Sequence, residues 1–544
     1  MSSGAGRTVT STGAGGTTSV VRRADDWLSR PTPRAWSVTL MLVLAAMAFP
    51  LLPTHTDPGP ALDEGLLLVE PERVLEGEIP NRDYETFYGP ANTYLLAAVY
   101  AATEPDVVIE RGVGLLYRLA VIAGIFALAS VGGLVVAAAA ALIAGTLMLT
   151  VGLAAFAYFG GLAFAIAGLF LLTRATTRPG ARGRLFVLAG VAAGLAISYR
   201  PQFGLAILLA FVPLVVGFPA AAIRRMLIGA VIGIAPLLVH TLVAGPRAVF
   251  ENLVVDAFFR SAPESTRPFP PDLPQEARLM VLVGIGIAVL VVCAAVLWRR
   301  EARSADARRV AAIALFCVGL APQALGRVGA IHLIEVGCVA VALVPYAICA
   351  VVGRDWMRPA RSLVPIAGTA LMVAALGWSY VQPIRPAYGR AFQFPPWAKD
   401  VGADVRDVDR GSRSFPLSTG QEADEAAATL AVIDDITDPG DTVVVGPDDL
   451  RRTFYNDTYL YHLLPELDPG TYYLTMAPGT ANGDESRLPA EIAAADVVVL
   501  GTLPDYTQLL PDSELGSDAA TQQLEAHFCL VDNFFIHLIY ERCR

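Results

Sequence analysis

Asp63 and Glu64 stand side by side in the run PALDEG, a short step beyond the first long hydrophobic stretch of the chain. Ionised side chains this close to a bilayer are costly to dehydrate, so they face water or serve a site. A carboxylate there can take the proton of an attacking hydroxyl. If the segment is helical, the two neighbours point about 100° apart. Their expected roles therefore differ, with Asp63 towards an acceptor and Glu64 towards a donor or a divalent metal. Near the ends of other apolar runs come Arg82, Asp83, Tyr88, Arg111, Arg200, Arg260, Arg267, Arg327, His332 and Glu335. His332 and Glu335 are three apart and share a helical face. Arginine forks, fixed in charge, suit a departing phosphate. Together these residues point to group transfer, in which a hydroxyl displaces an anionic leaving group at the lipid–water boundary.

The elements that must position them are membrane helices. Of 544 residues, 54% are hydrophobic and 17% charged, and a crossing needs about 20 mostly apolar residues. Eleven runs are candidates: 36–53, 112–131, 132–150, 151–173, 185–199, 202–219, 226–244, 279–298, 310–326, 331–353 and 362–381. Arginines gather before the first run (Arg22, Arg23, Arg30, Arg34) and in alternate loops, at 174–184, 224–225, 299–309 and 354–361. The positive-inside rule puts all of these in the cytoplasm. The N-terminus is then inside, and eleven crossings bring the C-terminus outside. Residues 1–35, rich in Ser, Gly and Thr, read as a disordered cytoplasmic tail. The 36–53 run is long for a signal peptide and has no small-x-small cleavage site, so it reads as an uncleaved span.

The net charge of −10 hides a division. From residue 399 onward there are 27 acids and 9 bases, and before it 23 and 31. An acidic outer domain on a basic-inside membrane body excludes a nucleic-acid binder. The expected architecture is a helical polytopic body over 36–381, with external loops 54–111 and 245–278, and an acidic α/β domain over 382–544. In the first loop, ALDEGLLLVE and YGPANTYLLAAVYAA (88–102) read as interfacial helices. In the second loop the segment ENLVVDAFFRSAPESTRPFPPDLP carries five prolines, and the loop reads as irregular in its second half. In the domain, a helix is expected at 422–436, strands at 442–446, 472–476 and 496–501, a helical patch at 449–464, a helix at 488–495 and a closing hairpin. That alternation predicts a mainly parallel sheet covered on both faces. Cys529 and Cys543 lie there and are able to pair in an oxidising compartment. No Gly-rich phosphate loop or paired CxxC is present, so neither a nucleotide nor a structural zinc is expected there.

Several segments resemble a known family. A first span followed by Asp63-Glu64, then Gly77-Glu78-Ile79-Pro80 and RDYETFYGP (82–90), is similar to multi-spanning glycosyltransferases of the C-type fold. The likeness is to bacterial members near the protein O-mannosyltransferase and lipid A aminoarabinose transferase group. GLAISYRPQFGLAILL (194–209) and GRVGAIHL (326–333) also look like segments of those enzymes. The resemblance implies a polyprenyl-phosphate-linked sugar as donor, action on the outer face, and Asp63 as base or acceptor-orienting group. Two departures stand out. Tyr88-Gly89-Pro90 replaces a Lys-Pro-Pro, and Gly329 stands where relatives often carry an acid after the arginine equivalent to Arg327.

The expected function is therefore sugar transfer from a polyprenyl-phosphate donor to an extracytoplasmic glycan, lipid or protein, at a bacterial plasma membrane. The single lysine among 39 arginines fits a GC-rich bacterial genome. Asp63 and Glu64 are the expected catalytic pair. Arg200, Arg327 and His332 are expected on the donor phosphate, and Arg82, Asp83, Tyr88 and Arg260 on substrate. The acidic domain is expected to fold separately and to assist acceptor binding without doing chemistry. The alternative is a transporter of lipid or polysaccharide precursors. Transporters place polar residues near mid-membrane, often in repeated halves, whereas these charges crowd one face and no internal repeat is visible.

Overall fold

The computed structural model describes residues 32–177, 182–260, 274–326, 328–352, 405–452, 456–502 and 515–544. Among them, nine helices are long and apolar enough to cross a membrane. Each follows from an apolar run of the sequence, from Pro33–Thr56 through Ala330–Val352. The 202–219 run forms only the 13-residue helix Phe203–Val215, ending before Gly217, whose φ is +87°. The expected 362–381 crossing lies outside the described residues. The Ala330–Val352 segment runs parallel to the Pro274–Glu301 helix. Ala330 N donates to Glu276 Oε1 at 3.0 Å at one end, and Arg300 reaches the Val351 carbonyl at 3.0 Å at the other.

Two of the spans pack unusually close. Gly190 and Gly194 of the Arg182–Tyr199 helix face Gly229 and Gly233 of the Ala220–Ala244 helix, and a Cβ at any of the four would run into facing backbone. In lipid, association rests on such close packing rather than on hydrophobic exclusion. This pair holds the outer end of the Arg182–Tyr199 helix, immediately before Arg200.

The first external loop contains two helices, Ala61–Leu75 and Pro90–Thr103. Residues 64–71 of the first are all buried. A helix that is apolar on every side must be covered on every side. The membrane body covers one face here, and the C-terminal unit covers the other. The first part of the 245–278 loop is helical, as Pro246–Phe250 and a π-helix over Glu251–Arg260, and most of the proline-rich second half, expected to be irregular, lies outside the described residues.

The C-terminal unit is α/β. It opens with an antiparallel hairpin, β1 (Arg406–Arg410) and β2 (Arg413–Leu417). Five further strands are β3 (Thr442–Pro447), β4 (Asp468–Pro469), β5 (Val497–Gly501), β6 (Phe528–Asn533) and β7 (His537–Arg542), ordered β4-β3-β5-β7-β6. β4, β3 and β5 are parallel, while β7 and β6 pair antiparallel, so the sheet is mixed rather than mainly parallel. Val443, Val445, Val497 and Val499 face the helix Gly420–Ile436 side, and Val444, Val498 and Leu500 pack with helices Leu488–Ala494 and Ala519–His527 on the other. Cys529 and Cys543 form a disulfide across the β6–β7 hairpin.

The expected strand at 472–476 is a turn. Its aromatic residues serve docking: Glu85 N donates to the Tyr472 carbonyl at 2.7 Å, and Tyr472 Oη donates to the Asn81 carbonyl at 3.1 Å. Arg413 grips both oxygens of Glu72 at 3.0 and 2.8 Å, and His462 Nδ1 lies 3.0 Å from Glu72 Oε1. Thr458 Oγ1 lies 3.1 and 2.7 Å from the Ala61 and Leu62 carbonyls. Gly65 faces Thr458 and the Tyr459 backbone so closely that a Cβ would collide with both. Gly65→Ala should therefore destabilise the protein by about 1–3 kcal/mol, read as thermal unfolding in detergent. Gly112→Ala, where nothing lies within 4 Å of the added carbon, should leave the melting temperature equal or higher.

Candidate active site

A cavity of about 610 Å³ lies between the outer ends of the membrane helices and the α/β unit. The membrane body contributes Asp63, Glu70, Tyr88, Asn92, Thr93, Arg200, Glu276, His332 and Glu335 to its walls. The α/β unit closes it with Leu417, Ser418, Glu422, Asp457, Tyr459 and Ile536.

Asp63 sits in the first turn of the Ala61–Leu75 helix, half-buried and facing the cavity. Glu64 points elsewhere. Both its oxygens accept from Arg111, Oε1 from Nε at 2.6 Å and Oε2 from Nη2 at 2.7 Å, with both side chains buried. Arg111 also donates to the His55 carbonyl. Gly59 leaves the room this pair needs, since a Cβ there would overlap the Glu64 carboxylate. The expectation that Glu64 meets the donor or a metal is thus corrected. Its lone pairs are committed to a guanidinium, and it does not line the cavity. Among the described residues, no group of three His, Cys, Asp or Glu is placed to hold a metal.

Arg200 lies just beyond the Arg182–Tyr199 helix, its side chain mostly buried, with Nη1 3.7 Å from Glu335 Oε1. Its guanidinium lies over the Tyr88 ring at 5.1 Å and the Tyr158 ring at 5.6 Å. Those ring faces stabilise the cation without neutralising it. Nε of Arg200 and Oε2 of Glu335 are buried with no hydrogen-bond partner among the described residues. Tyr158 Oη donates to the Glu335 carbonyl at 3.1 Å, which holds the backbone of that helix in place.

The Tyr88-Gly89-Pro90 departure has a local cause. Gly89 N donates to the Tyr199 carbonyl at 3.0 Å, and a Cβ at Gly89 would strike the Ser198 and Tyr199 backbone. A proline there would lose the donor and clash. The close approach sets Tyr88 beneath Arg200, and burial pushes the Tyr88 phenol up to about 12.

Other expected residues lie elsewhere. Arg82 and Asp83 pair with each other at 2.8 Å on the surface, and Asp83 also accepts from Ile79 N at 2.8 Å. Arg260, half exposed, pairs with Asp256 at 2.8 Å. None of the three lines the cavity, because each has a local partner on its own loop or helix. His332 does line it, while Arg327 lies outside the described residues.

Several cavity residues were not anticipated. Glu70 accepts from Thr93 Oγ1 at 3.1 Å through Oε2, while Oε1 is buried without a partner among the described residues. Its position, about two turns from Asp63 on the same face of a helix, was the available signal. Asn92 donates to the Ala155 carbonyl at 3.0 Å and accepts from Tyr117 at 2.8 Å. The contributions of the α/β unit had no local signal, since no motif marks them.

Neither a family model nor a curated protein matches this chain. Two crystal structures of ArnT from Cupriavidus metallidurans share its fold. The structure bound to undecaprenyl phosphate aligns over 94% of this chain and 98% of its own, at 13% identity and TM-score 0.51. The apo structure aligns over 93% and 98%, again at 13% identity and TM-score 0.51. The fold is ArnT-like. The multi-spanning architecture with a C-terminal α/β unit, expected from the sequence, is the one the chain adopts.

Burial pushes the Glu70 carboxyl up from 4.5 to about 7. Such a group contributes fully to stability below about pH 4.5 and loses that contribution as pH climbs through about 7. Glu70→Gln should remove this slope. Relative to the parent, the variant should gain up to about 3 kcal/mol between pH 4.5 and 8, measured by thermal unfolding across that range.

Proposed function

We propose that the protein transfers a sugar from a polyprenyl-phosphate-linked donor to a hydroxyl of an extracytoplasmic acceptor. One observation carries the reading: Asp63 and Arg200 face one cavity at the outer ends of membrane helices. The fold shared with an ArnT structure bound to undecaprenyl phosphate supports it. A lipid phosphate lying at that boundary meets Arg200, whose buried Nε has no hydrogen-bond partner among the described residues. Arg327 and His332 are proposed to complete the phosphate contacts.

The chemistry follows from these roles. The acceptor oxygen attacks the anomeric carbon of the sugar, and the bond from that carbon to the phosphate oxygen breaks. The polyprenyl phosphate leaves with the electron pair, its charge met by Arg200. Asp63 takes the proton of the acceptor hydroxyl. Tyr88 keeps its proton and underlies Arg200, so the cation has one orientation. The α/β unit and the Ala61–Leu75 helix limit water at the reacting carbon, which protects the donor from hydrolysis.

The arginine pattern supports an inside N-terminus and an outside α/β unit. The described chain leaves the membrane body at Val352, beside Arg300 and far from the cavity, and resumes at Val405 in the unit that closes the cavity. A further crossing at 362–381 fits that displacement.

Asp63→Asn, nearly isosteric, should insert normally and lose about 10²–10⁴ in turnover, measured with purified protein against a panel of polyprenyl-phosphate sugars. Near-normal turnover would remove Asp63 as the base. A reporter active only outside the cytoplasm, fused after Arg544, should be active. Cytoplasmic activity there would reverse the topology and the site with it.

A further inference from the structure

The α/β unit brings chemistry to the cavity that no motif announced. Asp457, 2% exposed, lines the cavity and holds its Oδ2 3.2 Å from Nε2 of His537, which is fully buried. Nδ1 of His537 lies 2.9 Å from Thr429 Oγ1, and that hydroxyl donates to the Glu425 carbonyl at 3.0 Å. With its hydrogen on Nε2 the ring donates to Asp457 Oδ2 and turns Nδ1 to the Thr429 hydroxyl. This chain of three side chains fixes the Asp457 carboxyl in one orientation from behind.

Beside it, Ser418 and Glu422 line the same wall. Thr419 caps the helix by accepting from Glu422 N at 3.1 Å, and Glu422 Oε2 accepts from Ser418 N at 3.1 Å, so their backbone is rigid. The Tyr459 ring, stacked on Phe415 at 4.8 Å, lines the wall as well. Fixed carboxylates with hydroxyls and an aromatic ring suit the hydroxyls and C–H faces of a sugar. The charge balance is one-sided. Asp63, Glu70, Glu276, Glu335, Glu422 and Asp457 line the cavity, against Arg200 as the one arginine among the described lining residues. Two of these acids, Glu70 and Glu335, hold buried oxygens with no hydrogen-bond partner among the described residues. The arginine lies at the membrane end, and among the described residues no arginine or lysine lines the α/β end to meet an anion.

We infer that the α/β unit carries the acceptor subsite, in which Asp457, oriented by His537 and Thr429, binds hydroxyls of an uncharged glycan and an anionic acceptor is refused. The word acceptor rests on the transferase reading above, whereas the subsite and its preference do not. Asp457 is a binding residue, and His537 and Thr429 are positioning residues.

Native mass spectrometry of the detergent-solubilised full chain tests this. The protein is mixed with undecaprenyl phosphate and equimolar pools of neutral hexose and pentose oligosaccharides and of oligogalacturonates. Neutral adducts should exceed galacturonate adducts at least about tenfold, the size of one charge-assisted hydrogen bond won or lost. Asp457→Asn and His537→Ala should reduce the neutral adduct about tenfold or more and keep the undecaprenyl phosphate adduct. His537→Gln, which can still donate to Asp457, should recover part of it. Glu422→Gln, half-buried at the wall and able to keep its cap, should weaken neutral binding without loss of fold. Equal or stronger galacturonate adducts, neutral adducts indifferent to all these variants, or no oligosaccharide adduct on lipid-loaded protein would each overturn the subsite. Arg200→Lys reads the other end: loss of the lipid adduct alone is expected. Retention of that adduct would count against the donor site and leave the subsite standing.

Discussion

The buried, two-pronged ion pair between Arg111 and Glu64 fixes the geometry on which the site depends. It ties the first turn of the Ala61–Leu75 helix to the Val107–Ala129 span, across a gap that only Gly59 leaves open. With Glu64 held towards Arg111, helical geometry turns Asp63 away from that pair and into the cavity. Removing one partner of such a pair strands a buried charge, at a cost of about 3–5 kcal/mol. The pair is thus a structural device that aims a neighbouring group. The two adjacent carboxylates do differ in role, as helical spacing requires, but Glu64 serves the scaffold.

The cavity is polar in a graded way. Its membrane end presents a guanidinium backed by two aromatic rings, and its outer end presents carboxylates held by side chains of the α/β unit. A substrate with an anionic group at the lipid boundary and hydroxyls further out would match this gradient along its length. Burial raises Glu70, on the cavity wall, and Glu85, which lies outside it, well above ordinary carboxyls.

Much of the fold was legible because hydropathy and charge are physically coupled to the bilayer. Ten of the eleven apolar runs correspond to described helices, and Asp63, Arg200 and His332 do meet in one cavity. Short-range patterns misled where tertiary contacts set the outcome. The 472–476 run has the composition of a strand, yet its backbone and Tyr472 hydroxyl bond to the first loop. The β1–β2 hairpin was hidden because RDVDR and RSF carry charges on both sides of Gly411 and bury few side chains. Arg82, Asp83 and Arg260 carried the right chemistry at the right end of the membrane, but each is paired locally. Asp457 and His537 are 80 residues apart and meet only because β7 lies next to β5. No local pattern can announce such a meeting.

The docking of the α/β unit onto the Ala61–Leu75 helix has a consequence for biogenesis. Thr458 bonds to Ala61 across 397 residues of sequence, and bacterial-type synthesis at about 5–20 residues per second separates their emergence by roughly 20–80 s. On the proposed topology the first loop is already outside during that interval, with Leu66, Leu67, Leu68 and Val69 lacking the cover they have in the finished protein. The nascent helix must wait on the membrane surface for the last quarter of its own chain. Truncation by a premature stop would leave that apolar helix permanently uncovered, a mark by which envelope quality control could tell an unfinished molecule from a complete one.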